Sequence, residues 1–224
     1  MDTLDFEVIP LGQTILKYKA PPRIWEAFNT IYDERGSSLP NAGVQLAGKL
    51  KEQRSLYFIG DKVGKISRHN SGVSPAILNW FREKFDHYIK FNGIWNTNSR
   101  INAIWLNQYT PYEYNPVHIH QGDLETGFTG VLMLKVPKSD LEGMLQIMGN
   151  GTGHFAKTDY VPKNLEAGDF FIFPYDVRHV VYPLNPSDNE TRRTVAVNCD
   201  CSYDAIKTHA ANRFSLRPSE RGQK

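Results

Sequence analysis

A mainly β chain with helices confined to its first hundred residues is the fold class this sequence predicts. Three observations predict it. From position 100 onward, short β-rich runs recur at close intervals, separated by Gly, Pro and Asn. Before position 100, two segments carry apolar residues at helical spacing. No stretch of linker composition divides the two halves. The expectation is an α+β arrangement: an antiparallel sandwich or barrel with helices against one outer sheet face.

Each element follows from its residues. Residues 4–18 alternate apolar and polar (Phe6, Val8, Pro10, then Ile15 and Leu16) and read as a strand. Pro21-Pro22 opens a helix over 23–34, with Ile24, Trp25, Phe28, Ile31 and Tyr32 on one face. Gly36 to Pro40 ends it. The charged stretch 49–54 reads as a solvated helix face. Ser74 is suited to cap a second helix reaching Phe91, with Pro75 just inside and Ile77, Trp80, Phe81, Phe85, Tyr88 and Ile89 as its buried stripe. The β-rich runs are 101–109, 128–136, 143–148, 154–160, 169–174, 178–183 and 192–199. Trp25, Trp80, Trp95 and Trp105 read as core or core-edge residues. Residues 149–154, Gly-rich and ending in His154, read as a hairpin turn at the edge of a site.

Composition bounds the rest. At 224 residues the chain is of a size that one core can serve. A single domain spanning 1–224 is therefore expected: helical and strand support over 1–99, a β-barrel core over 100–200, and a polar, basic tail over 201–224. A formal net charge of +2 demands no nucleic-acid or acidic-lipid partner. No apolar run is long enough to span a bilayer. The first residues are acidic and lack the order of a signal peptide, so a cytoplasmic protein is expected. Cys199 and Cys201, two apart on one strand face, suit neither a disulfide nor a zinc site and read as reduced.

The chemistry concentrates in a few positions. His118 and His120 are two apart, and on an extended segment such side chains point to the same side. Pro116 favours extended backbone at Asn115. His179 follows the apolar run Phe170–Phe173 and is placed at the mouth of a barrel. A His pair followed by a distant His is a two-plus-one pattern suited to a non-haem metal. Beyond it, alternation puts Arg192, Thr194, Ala196 and Asn198 on one face and Arg193, Val195, Val197 and Cys199 on the other. The first face offers a guanidinium, a hydroxyl and room for a ligand carboxylate. Arg193 reads as a surface residue.

At these residues the chain resembles the iron(II)/2-oxoglutarate-dependent oxygenases, especially the prolyl-hydroxylase-like branch and small bacterial and phage members. The resemblance covers roughly residues 100–200. It implies a double-stranded β-helix (jelly-roll, cupin-like) core and the cofactors Fe(II) and 2-oxoglutarate. It also implies an oxygenase, most simply a hydroxylase, that uses O2 and converts 2-oxoglutarate to succinate. His118 matches the first metal ligand and His179 the distal one. Arg192-Arg193-Thr194 matches the element that binds the far carboxylate of 2-oxoglutarate. Tyr109 matches the strand tyrosine that faces the co-substrate. Met133 stands where relatives often carry Tyr, and Lys135 is an alternative cation.

The departure is position 120, where the family pattern has Asp or Glu. Three readings stay open: His120 ligates, making a three-His site one positive charge richer; Asp123 supplies the carboxylate, helped by a pliable Gly122; or water or halide fills the position. Two other function classes also stay open. One is a three-His cupin-type dioxygenase that does not use 2-oxoglutarate. The other is a non-catalytic barrel for binding or assembly. A protein side chain, a small metabolite or a nucleobase would each fit as substrate, and the near-neutral charge lends nucleic acid only weak support. Nothing in the sequence sets an oligomeric state.

Overall fold

The computed structural model describes residues 6–10, 13–43, 48–62, 65–94, 99–122, 126–138, 143–149, 159–185 and 190–201. In chain order the elements are β1 (Phe6–Pro10), β2 (Thr14–Lys19), α1 (Pro22–Arg35), a 3-10 turn (Gly36–Ser38), β3 (Glu52–Lys62), β4 (Lys65–Asn70) and α2 (Pro75–Phe91). Then come β5 (Ser99–Tyr109), β6 (Asn115–His118), β7 (Gly127–Lys135), β8 (Leu145–Met148), β9 (Asp159–Tyr160), β10 (Asp169–Pro174), β11 (His179–Val181) and β12 (Arg192–Cys201). They form an eight-stranded sheet, β1-β2-β10-β7-β12-β5-β3-β4, and a four-stranded sheet, β6-β11-β8-β9. Every strand pairing is antiparallel. Two facing antiparallel sheets with helices outside are the jelly-roll architecture the sequence anticipates.

Both helices form as their residues dictate. Ser74 Oγ accepts from Ile77 N at 3.3 Å, and Pro75 occupies the first turn. Their apolar stripes pack on the outer face of the large sheet. Ile24, Phe28, Ile77, Phe81 and Phe85 meet Leu16, Leu106, Leu132, Val195 and Val197 in one core. Phe170 is its hub, with the rings of Trp80, Phe81 and Phe85 at 5.3, 5.2 and 6.1 Å. Gly130 has no alternative there: a Cβ would lie 2.4 Å from the Phe170 ring. A second core, containing Ile15, Val131, Met133, Leu145, Ile147, Phe171 and Phe173, fills the space between the sheets.

Several expectations need correction. The strand read over 4–18 is a hairpin, because β1 pairs β2 with Pro10 opposite Thr14. The stretch 49–54 is not a helix face. Leu50 is buried, Lys49 bridges Tyr114, and Glu52 opens β3, whose 11 residues run on into the β3–β4 hairpin. Charges at Lys51, Glu52 and Arg54 hid a two-residue period there. Described residues of the run 154–160 form only β9, and His154, like Trp95, lies outside the described residues. The first hundred residues do more than buttress: β1 to β4 are strands of the large sheet itself. No helix among the described residues is long and apolar enough to cross a membrane.

Candidate metal and co-substrate site

The inner face of β12 and its neighbours builds the floor of the site. Arg192 pairs with Tyr109, Thr194 with Asn107, Ala196 with Trp105 and Asn198 with Ala103. All eight line a cleft of about 500 Å³ between the sheets. The opposite face carries Val195, Val197 and Cys199 into the helix-side core, as alternation requires. The small sheet supplies the roof. β11 pairs β6 with His179 opposite His118, and His120 follows two residues on, its backbone N–H held by Tyr175 O at 2.9 Å.

The three histidines converge. Each can offer one nitrogen such that all three lie within 4.8 Å of one another. The ring centroids of His118 and His179 are 4.1 Å apart, and those of His120 and His179 are 4.9 Å apart. What each Nδ1 meets decides its tautomer. His118 Nδ1 is 2.7 Å from Pro116 O, and His179 Nδ1 is 3.1 Å from Val177 O. Carbonyls only accept, so both Nδ1 atoms carry the proton. His120 Nδ1 is 2.9 Å from Asn198 Oδ1, whose amide is oriented by Nδ2 donating to Gln121 O at 3.2 Å. Thr129 Oγ1 donates to Val197 O and so faces the same Nδ1, at 3.1 Å, as an acceptor. All three Nε2 atoms are therefore left with lone pairs.

Two of those lone pairs, on His120 and His179, face each other at 3.2 Å. Asn115 Nδ2 lies 3.2 Å from the third, on His118. Unprotonated imidazole nitrogens this close repel one another unless a cation lies between them. The donor set fits a divalent transition metal. Burial keeps the rings neutral: it lowers the His118 pKa and takes His179 well below the ordinary value. Burial, reinforced by the charge of His118, takes His120 to about 4. Trp105 stacks on His120 at 5.4 Å, and Phe173 meets His179 edge-on at 5.0 Å.

Arg192 is the second notable group. It is 1% exposed, and no carboxylate pairs with it among the described residues. Its guanidinium lies 5.4 Å over the Tyr109 ring, Nη2 reaches only the Met133 sulfur at 3.7 Å, and Nη1 has no hydrogen-bond partner. Burial lowers its pKa and pushes Tyr109 up to about 12, so Tyr109 keeps its proton as a donor. An unpaired buried guanidinium costs on the order of several kcal/mol, a cost that a carboxylate placed beside it would offset.

The sequence-named residues are thus placed plainly. His118, His120, His179, Arg192, Thr194 and Tyr109 share one cleft. Asp123 lies outside the described residues. Gly122 is required for close approach rather than pliability, since a Cβ would sit 1.8 Å from Asp200 Oδ1. Lys135 is exposed on the outer face and brings no cation to the cleft. Arg193 is not a surface residue. It is buried, donates to Gln108 Oε1 at 2.6 Å and Asn29 Oδ1 at 2.7 Å, meets Asp33 at 3.0 Å and covers Tyr32 at 4.0 Å. Sequence reasoning missed Asn198 and Thr129 as partners of His120. The alternation that put Asn198 on the Arg192 face was the available signal.

No family model matches the chain, and no curated protein matches it. Among solved structures, the fold is that of the 2-oxoglutarate/Fe(II) oxygenases. A 2OG-Fe(II) oxygenase family oxidoreductase from Burkholderia pseudomallei aligns at TM-score 0.60 and 13% identity, over 83% of this chain and 84% of that one. A Pseudomonas putida prolyl-4-hydroxylase aligns at TM-score 0.54 and 13% identity, over 88% and 93%. HygX from Streptomyces hygroscopicus, solved with nickel, 2-oxoglutarate and hygromycin B bound, aligns at TM-score 0.53 and 12% identity, over 90% and 85%. At these identities the likeness is one of fold.

Proposed function

We propose that the protein is a non-haem Fe(II)/2-oxoglutarate-dependent oxygenase that hydroxylates its substrate, with His118, His120 and His179 as a three-His iron site. The observation that carries this reading is one cleft that holds both three histidines within reach of one ion and a fully buried Arg192 that meets no carboxylate among the described residues. A metal completes the first and a dicarboxylate the second. Iron and 2-oxoglutarate, when bound, supply O2 activation coupled to decarboxylation of 2-oxoglutarate to succinate.

The chain's own residues do the rest. Arg192 holds the distal carboxylate, assisted by the Thr194 hydroxyl and the Tyr109 phenol. Asn198, Thr129 and the carbonyls of Pro116 and Val177 keep each Nδ1 protonated, and so each Nε2 unprotonated. Val131, Leu145 and Val181 line the cleft with apolar surface that excludes water around the metal position. Because His120 replaces a carboxylate, the site keeps one more positive charge. The buried free thiols of Cys199 and Cys201 suit a reducing, cytoplasmic setting.

The three-His cupin-type alternative accounts for the histidines but leaves Arg192 without a role. The test is single-turnover succinate formation by iron-loaded protein, wild type against Arg192→Met. Succinate from the wild type, with at least a ~10-fold loss in the variant, supports the reading. Iron binding without succinate would sink it.

A further inference from the structure

Next to the histidines the inner face of the large sheet continues onto β5 and β3. Ala103, Trp105, Asn107 and Gln53 line the cleft there, with Ser55 in register with Trp105. The small sheet ends at β6, so this part of the floor forms a ledge beside the metal position. Its charged neighbours turn away. Arg54 Nη1 donates to Leu39 O, and Glu52 meets the Tyr32 hydroxyl on the helix side. Among the described residues no acidic side chain lines the cleft, and Arg192 is its one cationic side chain.

Two carboxamides meet on the ledge. Gln53 Nε2 donates to Asn107 Oδ1 at 3.1 Å. That bond fixes both amides. Among the described residues, the Gln53 carbonyl oxygen and the Asn107 amino group have no further side-chain partner, so the ledge presents one acceptor and one donor side by side. Asn107 pairs with Thr194, and Trp105, one step along the same face, stacks on His120. The pair therefore lies between the Arg192 end and the His120 end.

We infer that this ledge binds the substrate through an uncharged planar ring that carries an amide or lactam edge. The ring lies along Trp105, its N–H donates to Gln53 Oε1, and its carbonyl accepts from Asn107 Nδ2. A cationic group would meet no carboxylate side chain among the described residues that line the cleft. A carboxylate substrate is disfavoured by the Gln53 oxygen. This inference rests on the reading of the histidines as the reaction centre, because the ledge is substrate-facing only if oxidation happens there.

The test compares three probes on the zinc-loaded protein with 2-oxoglutarate: 2-quinolone, its O-methyl analogue 2-methoxyquinoline, and the acyclic N-acetylglycinamide. Affinities are read by ligand-observed NMR. The lactam is expected to bind roughly fivefold or more tighter than the methyl ether, the scale of one lost hydrogen bond, and tighter than the acyclic amide. Gln53→Leu should erase the preference for the lactam over the ether, and Asn107→Leu should do the same. Equal binding of ring and ether, a preference that survives both substitutions, or tighter binding of the acyclic amide would overturn the inference. Zinc and 2-oxoglutarate binding are measured calorimetrically on the same samples. A lactam preference without them would keep the ledge and remove the oxygenase reading, whereas their binding without a preference would do the reverse.

Discussion

At the scale of single residues, Arg192 and the histidines carry opposite lessons about burial. Arg192 is buried at a cost, without a carboxylate partner among the described residues. If it holds the proposed co-substrate, Arg192→Met should raise the thermal midpoint of the ligand-free protein or leave it unchanged, while abolishing the further upward shift that 2-oxoglutarate adds to that of metal. A fall in the ligand-free midpoint would contradict this. The histidines are buried neutral. In the metal-free protein their folded-state pKa values are lowered, that of His120 to about 4, by desolvation first. The unfolded chain thus binds more protons between pH 4 and the ordinary 6.5. The sign follows: their neutral burial is without penalty above about pH 6.5, and stability falls as pH drops through that window. Urea midpoints at several pH values in metal-free buffer test this, and midpoints that rise below pH 6 would contradict it. That His118, His179 and Arg192 come to one cleft was legible, because residue spacing and strand alternation are local rules. The contacts of His120 were not, because Asn198 and Thr129 approach it from two other strands.

At the scale of elements, both helices and most strands after position 100 were legible, while β3, β4 and β6 were not. α2 could be read from Ser74-Pro75 and its apolar stripe because capping and helical period are written in adjacent residues. Ser74→Ala should cost about 1 kcal/mol, seen as a lowered denaturation midpoint. β6 is Asn-Pro-Val-His, with no apolar run or alternation to register. β3 was hidden for another reason: its opening residues are charged, and they masked the β-prone Leu56-Tyr57-Phe58-Ile59 that follows. The segment after His120 is fixed by Asp200, which accepts from Asn102 at 2.9 Å and Tyr175 at 3.0 Å. Gly122 packs against that network. Gly122→Ala should displace the segment and weaken metal affinity by roughly 10- to 100-fold, measured by competition with a chelating dye. Unchanged affinity in a folded variant would show that the close approach does not position His120.

At the scale of the whole molecule, two sheets and two cores divide the labour. The helix-side core around Phe170 holds the large sheet in shape, and the inter-sheet core walls the cleft. Phe170→Ala should therefore cost about 3–5 kcal/mol without touching a site residue. The fold class was legible because it rests on the count and spacing of β-rich runs. The contribution of β1 to β4 to the large sheet was not, since membership of a sheet is decided by contacts between distant segments. The account's central claim is that one cleft holds both a three-His iron site and a 2-oxoglutarate site closed by Arg192. Anaerobic titration with iron(II) and 2-oxoglutarate, followed by visible absorption, tests it most directly. The account predicts a metal-to-ligand charge-transfer band that saturates near one equivalent of each and is lost in His179→Ala and Arg192→Met. Protein that binds iron but develops no band with 2-oxoglutarate would contradict it.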